Sequence, residues 1–290
     1  MEADQVSATI DFRRVNGVQL ECAIAGDVGN PLVILLHGFP DLWHGWRFQI
    51  PQLVAAGFRV ISPNQRGYGK SDKPRPLSAY DIEELAKDVV ELAESEGNSA
   101  FHLVGHDWGG IVAWWVAARF AQCVSRVAIL NAPHPGIFAS YVCGHPSQVL
   151  KSWYTAFFQL PWLPEAMLSA RNYELLFRTV KGTSRKGVFG PQDRAAFVDG
   201  WSEPGALTAM LNYYRAMRRR SSKSLQLKIV SPTLILMSDR DPTEEAGLAT
   251  ASSQLCDSAR IEWITGAAHW IQREEPERVT AELIKFLTAK

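Results

Sequence analysis

The sequence of 290 residues lacks any apolar stretch long enough to cross a membrane. Its longest wholly apolar run, residues 111–118, is far shorter than the roughly 20 residues that a membrane-spanning helix needs. The polar first five residues contain no apolar segment of the kind found in signal peptides. We therefore predict a protein with neither a membrane span nor a signal peptide.

Clustered cysteines are also absent, since Cys22, Cys123, Cys143 and Cys256 are scattered and form no Cys-x-x-Cys pair. This spacing argues against a disulfide framework or a zinc site and favours free thiols in the reducing cytoplasm. The sequence contains no phosphate-binding loop and no dinucleotide fingerprint. We therefore expect an activity that needs no metal and no cofactor.

The chain also lacks a net charge at neutral pH. The 30 Lys and Arg residues balance the 30 Asp and Glu residues, and a neutral chain is not suited to binding nucleic acid over its whole surface. Hydrophobic residues make up 47% of the chain, which is typical of a folded globular protein.

Apolar runs separated by helical patterns predict an α/β fold with a mostly parallel central sheet and helices on both faces. Residues 6–15 and Val18–Ala25 flank the turn dipeptide Asn16-Gly17 and predict an N-terminal hairpin. Leu32–Leu36 is continuously apolar, as central parallel strands are. Further strands are predicted at residues 58–62, 100–104, 126–130, 233–237 and 260–264, and helices at 80–96, 108–120 and 274–287.

One connection between predicted strands is unusually long. About 100 residues separate the strand that ends near Leu130 from the strand that begins at Thr233, which is more than an ordinary crossover needs. The intervening segment is rich in aromatic residues and helix formers. We predict a helical lid over residues 135–228, inserted into a core domain made of residues 1–134 and 229–290.

The strand at residues 100–104 leads into Gly105-His106-Asp107-Trp108-Gly109, directly before a predicted helix. This strand–turn–helix context is typical of a nucleophile elbow, in which small residues let a sharp turn close. Asp107 occupies the position of the nucleophile. A carboxylate is ionised at neutral pH without a base, and its attack on sp³ carbon gives an alkyl ester. The alternative is a tight turn in which Asp107 only caps the helix.

An oxyanion hole is expected beside this elbow. His37-Gly38-Phe39-Pro40 follows the strand Leu32–Leu36, and the loop after this strand supplies one N–H donor in folds with such an elbow. The residue after the nucleophile supplies the other. We therefore predict that the backbone N–H groups of Phe39 and Trp108 stabilise the oxyanion formed when an Asp107 ester is hydrolysed.

A histidine and a carboxylate complete the expected set. His269 follows the last predicted strand, and imidazole is suited to activating water near neutral pH. A carboxylate should hold its other ring nitrogen. Two candidates follow the strand at residues 233–237, namely Asp241, which we prefer, and Asp239.

Together these segments resemble the α/β-hydrolase superfamily, and specifically its epoxide hydrolases, from about residue 16 to residue 286. The resemblance implies the α/β-hydrolase fold and favours Asp241 as the acid, although Ser238 stands where the family usually has glycine. It rests on the loop and elbow motifs given above together with Arg66-Gly67-Tyr68-Gly69-Lys70-Ser71-Asp72-Lys73-Pro74, Asn131-Ala132-Pro133-His134-Pro135 and Gly266-Ala267-Ala268-His269-Trp270.

The resemblance also implies two lid tyrosines that donate hydrogen bonds to the epoxide oxygen. Tyr154 precedes a Phe-Gln-x-Pro stretch that matches one family motif, and Tyr214 lies in a Tyr-Tyr-Arg step that matches the other. A phenol can supply the proton that an alkoxide leaving group needs. Tyr213 and Tyr141 are the reserve candidates.

The resemblance therefore implies an epoxide hydrolase that forms an alkyl ester on Asp107 and releases a vicinal diol. Its expected partners are a small apolar epoxide and water, and its expected assembly is a monomer or a homodimer. One alternative is a haloalkane dehalogenase, in which the indole of Trp108 would bind halide and an asparagine often stands where this chain has Phe39. The other is a small-molecule binding protein that has kept the fold without catalysis.

Overall fold

The computed structural model describes residues 8–217 and 228–289. Its strands are β1 (Thr9–Val15), β2 (Val18–Ala25), β3 (Leu32–Leu36), β4 (Arg59–Pro63), β5 (Phe101–His106), β6 (Val124–Leu130), β7 (Thr233–Ser238) and β8 (Ala259–Ile264). They form one sheet in the order β1-β2-β4-β3-β5-β6-β7-β8. The pairs β1/β2 and β2/β4 are antiparallel and the remaining neighbours are parallel, which confirms the predicted mostly parallel sheet.

The N-terminal hairpin turns at Asn16 and Gly17, as predicted. Their φ angles of 43° and 73° both lie in the left-handed region that a type I′ turn requires. Residues 6 and 7, where the first strand was expected to begin, lie outside the described residues.

The helices are α1 (Gln49–Ala55), α2 (Ile82–Ser95), α3 (Trp108–Arg119), α4 (Pro135–Gly144), α5 (Pro146–Lys151), α6 (Trp153–Phe157), α7 (Leu163–Gly182), α8 (Pro191–Trp201), α9 (Ala206–Met217), α10 (Ala246–Ser253), α11 (Ile271–Glu274) and α12 (Pro276–Leu287). The three predicted helices correspond to α2, α3 and α12, with ends that differ by at most two residues. In the part of the chain that the structure describes, no helix is both long and apolar enough to span a membrane.

Alternate residues of the central strands point to opposite faces of the sheet. Because these strands are apolar throughout, both faces need to be covered by helices. In β3, Val33 and Leu35 pack in the apolar cluster that contains residues of α1 and α12. Ile34 packs in the cluster that contains residues of α2 and α3. This arrangement confirms the prediction that helices lie on both faces.

The helices α4–α9 all lie between β6 and β7 in the sequence, and we refer to them as the helical insertion. The insertion is described from Pro135 to Met217. Residues 218–227, which fall in the last part of the predicted lid, lie outside the described residues.

A buried ion pair fastens the loop after β4 to α2. The guanidinium of Arg66 donates from Nε to Asp88 at 2.5 Å and from Nη2 to the same carboxylate. Burial raises the pKa of Asp88 to about 6, although Arg66 opposes this rise. The carbonyl of Arg66 also accepts a hydrogen bond from the Tyr213 hydroxyl at 2.8 Å, so the same loop anchors α9.

Replacing Arg66 by methionine should lower the free energy of unfolding by about 3–5 kcal/mol, because it leaves the buried carboxyl of Asp88 without its cation. Urea unfolding at neutral pH measures this loss. The matched control is Lys87→Met, which breaks an exposed pair with Glu84 and should cost less than about 1 kcal/mol. Equal losses in the two variants would show that the buried pair is not needed for stability.

Candidate active site

Asp107 lies at the turn between β5 and α3, with φ 50° and ψ −121°. Few side-chain-bearing residues adopt such a backbone conformation, which is a feature of elbow turns. The turn also needs glycine at position 105, since a Cβ there would lie 2.2 Å from the carbonyl oxygen of Gly109. The side chain of Asp107 therefore projects from the carboxyl end of β5, toward the space between the sheet and the insertion.

Two backbone N–H groups hold the carboxylate of Asp107. The N–H of Phe39 donates to Oδ1 at 2.6 Å, and the N–H of Trp108 lies beside the same carboxylate and lowers its pKa. Gly38 permits this approach, because a Cβ at that position would lie 2.3 Å from Oδ1. The structure thus brings the two donors expected from the sequence to one carboxylate.

The imidazole of His269 lies between two carboxylates. Its Nδ1 is 2.8 Å from Oδ2 of Asp241, and its Nε2 is 3.8 Å from Oδ2 of Asp107. Asp239 instead accepts a hydrogen bond from the N–H of Gly266 at 2.7 Å. Of the two carboxylates considered from the sequence, Asp241 is the one that contacts the imidazole.

The surrounding charges shift the pKa of the imidazole upward. Burial by itself lowers the pKa of His269, but Asp241, Asp107 and Glu244 outweigh burial and raise it to about 9. Burial raises the pKa of Asp107, against the opposing effects of His269 and the two N–H donors. His269 is therefore protonated at neutral pH when Asp107 carries its charge.

Three separate elements fix the backbone of His269. Its carbonyl accepts a hydrogen bond from Nδ2 of Asn131 at 2.8 Å and contacts Nε2 of His106 at 2.9 Å. Its N–H donates to the carbonyl of Thr183, in the insertion, at 3.1 Å. His106 and Asn131 stand in two of the motifs that carry the resemblance, but the sequence pattern predicts no role for either side chain. The signal that could have found them is their position as polar residues at the carboxyl ends of β5 and β6.

Asp107 and His269 line a cavity of about 550 Å³ between the sheet and the insertion. Tyr154 and Tyr214 line the same cavity, with ring centroids 6.0 Å apart. Burial and the charge of Asp107 raise the pKa of both phenols, so both are protonated at neutral pH. The ring of Trp108 packs edge-to-face against that of Tyr214, with centroids 5.0 Å apart. The apolar part of the wall includes Trp153, Phe157, Phe158, Leu168, Leu176 and Val180.

The two reserve tyrosines lie elsewhere. The hydroxyl of Tyr213 donates to a backbone carbonyl in the core, and the hydroxyl of Tyr141 donates to Glu245 at 3.1 Å. Neither residue lines the cavity. Within residues 8–217 and 228–289, no three His, Cys, Asp or Glu side chains are grouped so that they could hold a metal ion.

Comparisons with known proteins point to one family. The profile of the alpha/beta hydrolase fold matches residues 31–276. The AB hydrolase superfamily protein YfhM of Bacillus subtilis is 37% identical, over 95% of this chain and 96% of that protein. Human epoxide hydrolase 4 is 34% identical, over 94% of this chain and 76% of that protein. A crystal structure of a Bacillus megaterium epoxide hydrolase with an inhibitor superimposes with a TM-score of 0.88 at 29% identity, over 96% of this chain and 100% of that chain.

Removing the charge of Asp107 should lower the pKa of His269 below about 9, because that charge is one of the three that raise it. Asp107→Asn makes this change with little change in shape. NMR titration of isotopically labelled histidines measures it. The internal control is His102, whose pKa is lowered to about 4 by burial and by Arg126 and should not move. An unchanged His269 titration would show that the two side chains are not coupled.

Proposed function

The chain belongs to the α/β-hydrolase family, among its epoxide hydrolases, and we propose that it converts an epoxide and water to a vicinal diol through a covalent ester on Asp107. The observation that carries the proposal is the arrangement around one apolar cavity of a buried carboxylate, an imidazole paired with Asp241, and two phenols. A nucleophile, a base and a proton donor are the three groups that this reaction needs.

In the first proposed step, Oδ2 of Asp107 attacks a ring carbon of the epoxide. A carbon–oxygen ester bond forms and a carbon–oxygen bond of the ring breaks. The electron pair goes to the ring oxygen, which takes a proton from Tyr154 or Tyr214. We assign the attack to Oδ2, because Oδ1 accepts the N–H of Phe39.

In the second proposed step, water hydrolyses the ester. Alkylation removes the charge of Asp107, so the pKa of His269 falls and its imidazolium releases a proton to solvent. The neutral imidazole can then take a proton from water. The water oxygen attacks Cγ of Asp107, and the oxyanion develops on Oδ1 beside the N–H groups of Phe39 and Trp108. Collapse breaks the bond between Cγ and Oδ2. The diol leaves with that oxygen and takes the proton from His269, and the remaining proton of the water returns to the tyrosine. With the charge of Asp107 restored, His269 takes up a proton from solvent and the starting state is regained.

We further propose a core domain of residues 1–134 and 229–290 and a lid of residues 135–228. Asp107, Asp241 and His269 belong to the core, whereas Tyr154, Tyr214 and most of the apolar wall belong to the lid. A pocket of this kind binds its ligand mainly by burying apolar surface. We therefore propose small apolar epoxides as the substrates.

A haloalkane dehalogenase is the less favoured alternative. Halide binding would need the indole N–H of Trp108, and the ring of Trp108 here packs edge-to-face against that of Tyr214. The side chain of Phe39 offers no second donor. A binding protein without catalysis is also disfavoured, because binding an apolar ligand does not need an imidazole placed between the carboxylates of Asp107 and Asp241.

The proposed ester should accumulate in His269→Gln, because alkylation does not need the base and ester hydrolysis does. Mass spectrometry after mixing with styrene oxide should show protein plus one substrate mass. Asp107→Ala is the control and should show neither adduct nor diol.

In wild-type protein, a single turnover in ¹⁸O-labelled water should give unlabelled diol, since its new oxygen comes from Asp107. Labelled diol in that first turnover would rule out the covalent route.

Tyr154→Phe and Tyr214→Phe should each slow alkylation, and the double variant should nearly abolish it. Each change removes one hydroxyl and keeps the ring, and loss of a preorganised donor typically costs on the order of 10²–10³ in rate, or less where a second donor compensates. Rapid quench and mass spectrometry measure the alkylation rate.

Tyr213→Phe is the matched control for this pair. It removes a buried hydroxyl of the same kind outside the cavity, and it should leave the alkylation rate unchanged. A double variant that alkylates at the wild-type rate would show that neither cavity tyrosine donates to the epoxide oxygen.

A further inference from the structure

The loop between β7 and α10 carries a hydroxyl that the proposed mechanism does not use. Thr243 lines the cavity, and its Oγ1 is 2.6 Å from Oδ1 of Asp241 and 3.2 Å from Nδ1 of His269. Its backbone N–H donates to the same Oδ1 at 2.7 Å. A single residue therefore contacts both members of the acid–base pair.

The hydrogen positions at this contact follow from the chemistry of the pair. When Nε2 of His269 is free to accept a proton from water, Nδ1 carries the hydrogen and donates to Oδ2 of Asp241. The single hydroxyl proton of Thr243 then donates to Oδ1, and its oxygen lone pairs face Nδ1–H. The hydroxyl thus prevents rotation of the Asp241 carboxylate and favours the tautomer that the base requires.

The helical insertion fixes Thr243 in turn. Gln148 of α5 is fully buried, and its Nε2 donates to the Thr243 carbonyl at 2.8 Å while its Oε1 accepts the N–H of Glu245 at 3.0 Å. Lys151 donates to the carbonyl of Asp241 at 3.0 Å. The loop is therefore held on both sides of Thr243, and the hydroxyl has a defined position against Oδ1.

We propose that Thr243 is a positioning residue for ester hydrolysis, acting through Asp241 and His269. This inference rests on the proposed function. Alkylation depends on Asp107 and the tyrosines, whereas hydrolysis depends on the imidazole and its carboxylate. Loss of the Thr243 hydroxyl should therefore slow the second half-reaction and spare the first, which a residue that only lines the cavity wall would not do.

The test compares Thr243→Val, which keeps the shape and removes the hydroxyl, with Thr243→Ser, which keeps the hydroxyl. With styrene oxide, rapid quench and mass spectrometry follow formation and decay of the adduct. The valine variant should hydrolyse the adduct about 10- to 100-fold more slowly, as expected for loss of a hydrogen bond to a charged group, and should alkylate at nearly the wild-type rate. The serine variant should recover most of the hydrolysis rate.

Steady-state kinetics provide a second, independent readout. When ester hydrolysis limits turnover, slowing it lowers kcat and KM together and leaves kcat/KM unchanged, because that ratio reports the steps through alkylation. We expect this pattern for Thr243→Val. If that variant fails to fold by circular dichroism, Thr243→Ala replaces it in the same comparison with serine.

Three results would overturn the role of Thr243. They are wild-type adduct hydrolysis in the valine variant, equal slowing of both half-reactions, and a serine variant as slow as valine. In each case wild-type protein must still form and hydrolyse the adduct. If wild-type protein gives neither adduct nor diol from any epoxide, the proposed function itself has failed, and the role of Thr243 falls with it.

Discussion

A carboxylate withdrawn from water must be stabilised by neighbouring groups, and the site is built around this need at Asp107. Its side chain is only 15% exposed. The N–H of Phe39 comes from the loop after β3, the N–H of Trp108 from the first turn of α3, and the imidazole of His269 from the loop after β8. Each of these three elements delivers a group to the same carboxylate. The position of the strained turn at Asp107 therefore determines where the loop after β3, the first turn of α3 and the loop after β8 must lie.

The insertion takes part in this arrangement as well as covering the cavity. Thr183 accepts the N–H of His269, and its hydroxyl accepts the indole N–H of Trp270 at 2.9 Å. Gln148 holds the loop that carries Asp241. The base and its carboxylate are thus each tied to the insertion by hydrogen bonds, so a movement of the insertion would change the geometry of the pair as well as the shape of the cavity.

Features that depend on neighbours in the sequence could be predicted, and features that depend on distant contacts could not. The parallel strands and the elbow at Asp107 are local patterns of apolar runs and small residues. Asp241 and Asp239 follow the same strand, so the preference for Asp241 rested partly on the resemblance. Only the folded loop shows which of the two carboxylates contacts the imidazole. Asn131 bonds to Ser238 across 107 positions of sequence, and no local pattern records that pairing. The contact of Thr243 with His269 could not be predicted for the same reason, since the two residues lie 26 positions apart.

One charge links the two proposed half-reactions. While Asp107 is ionised, it raises the pKa of His269 and of both cavity phenols, Tyr154 and Tyr214. The imidazole is then protonated and cannot act as a base, and the phenols keep their protons. Ester formation removes the charge, so all three pKa values fall at the moment when the alkoxide needs a proton and the ester needs a base. The order of the two steps therefore follows from electrostatics, because the event that completes alkylation also prepares hydrolysis.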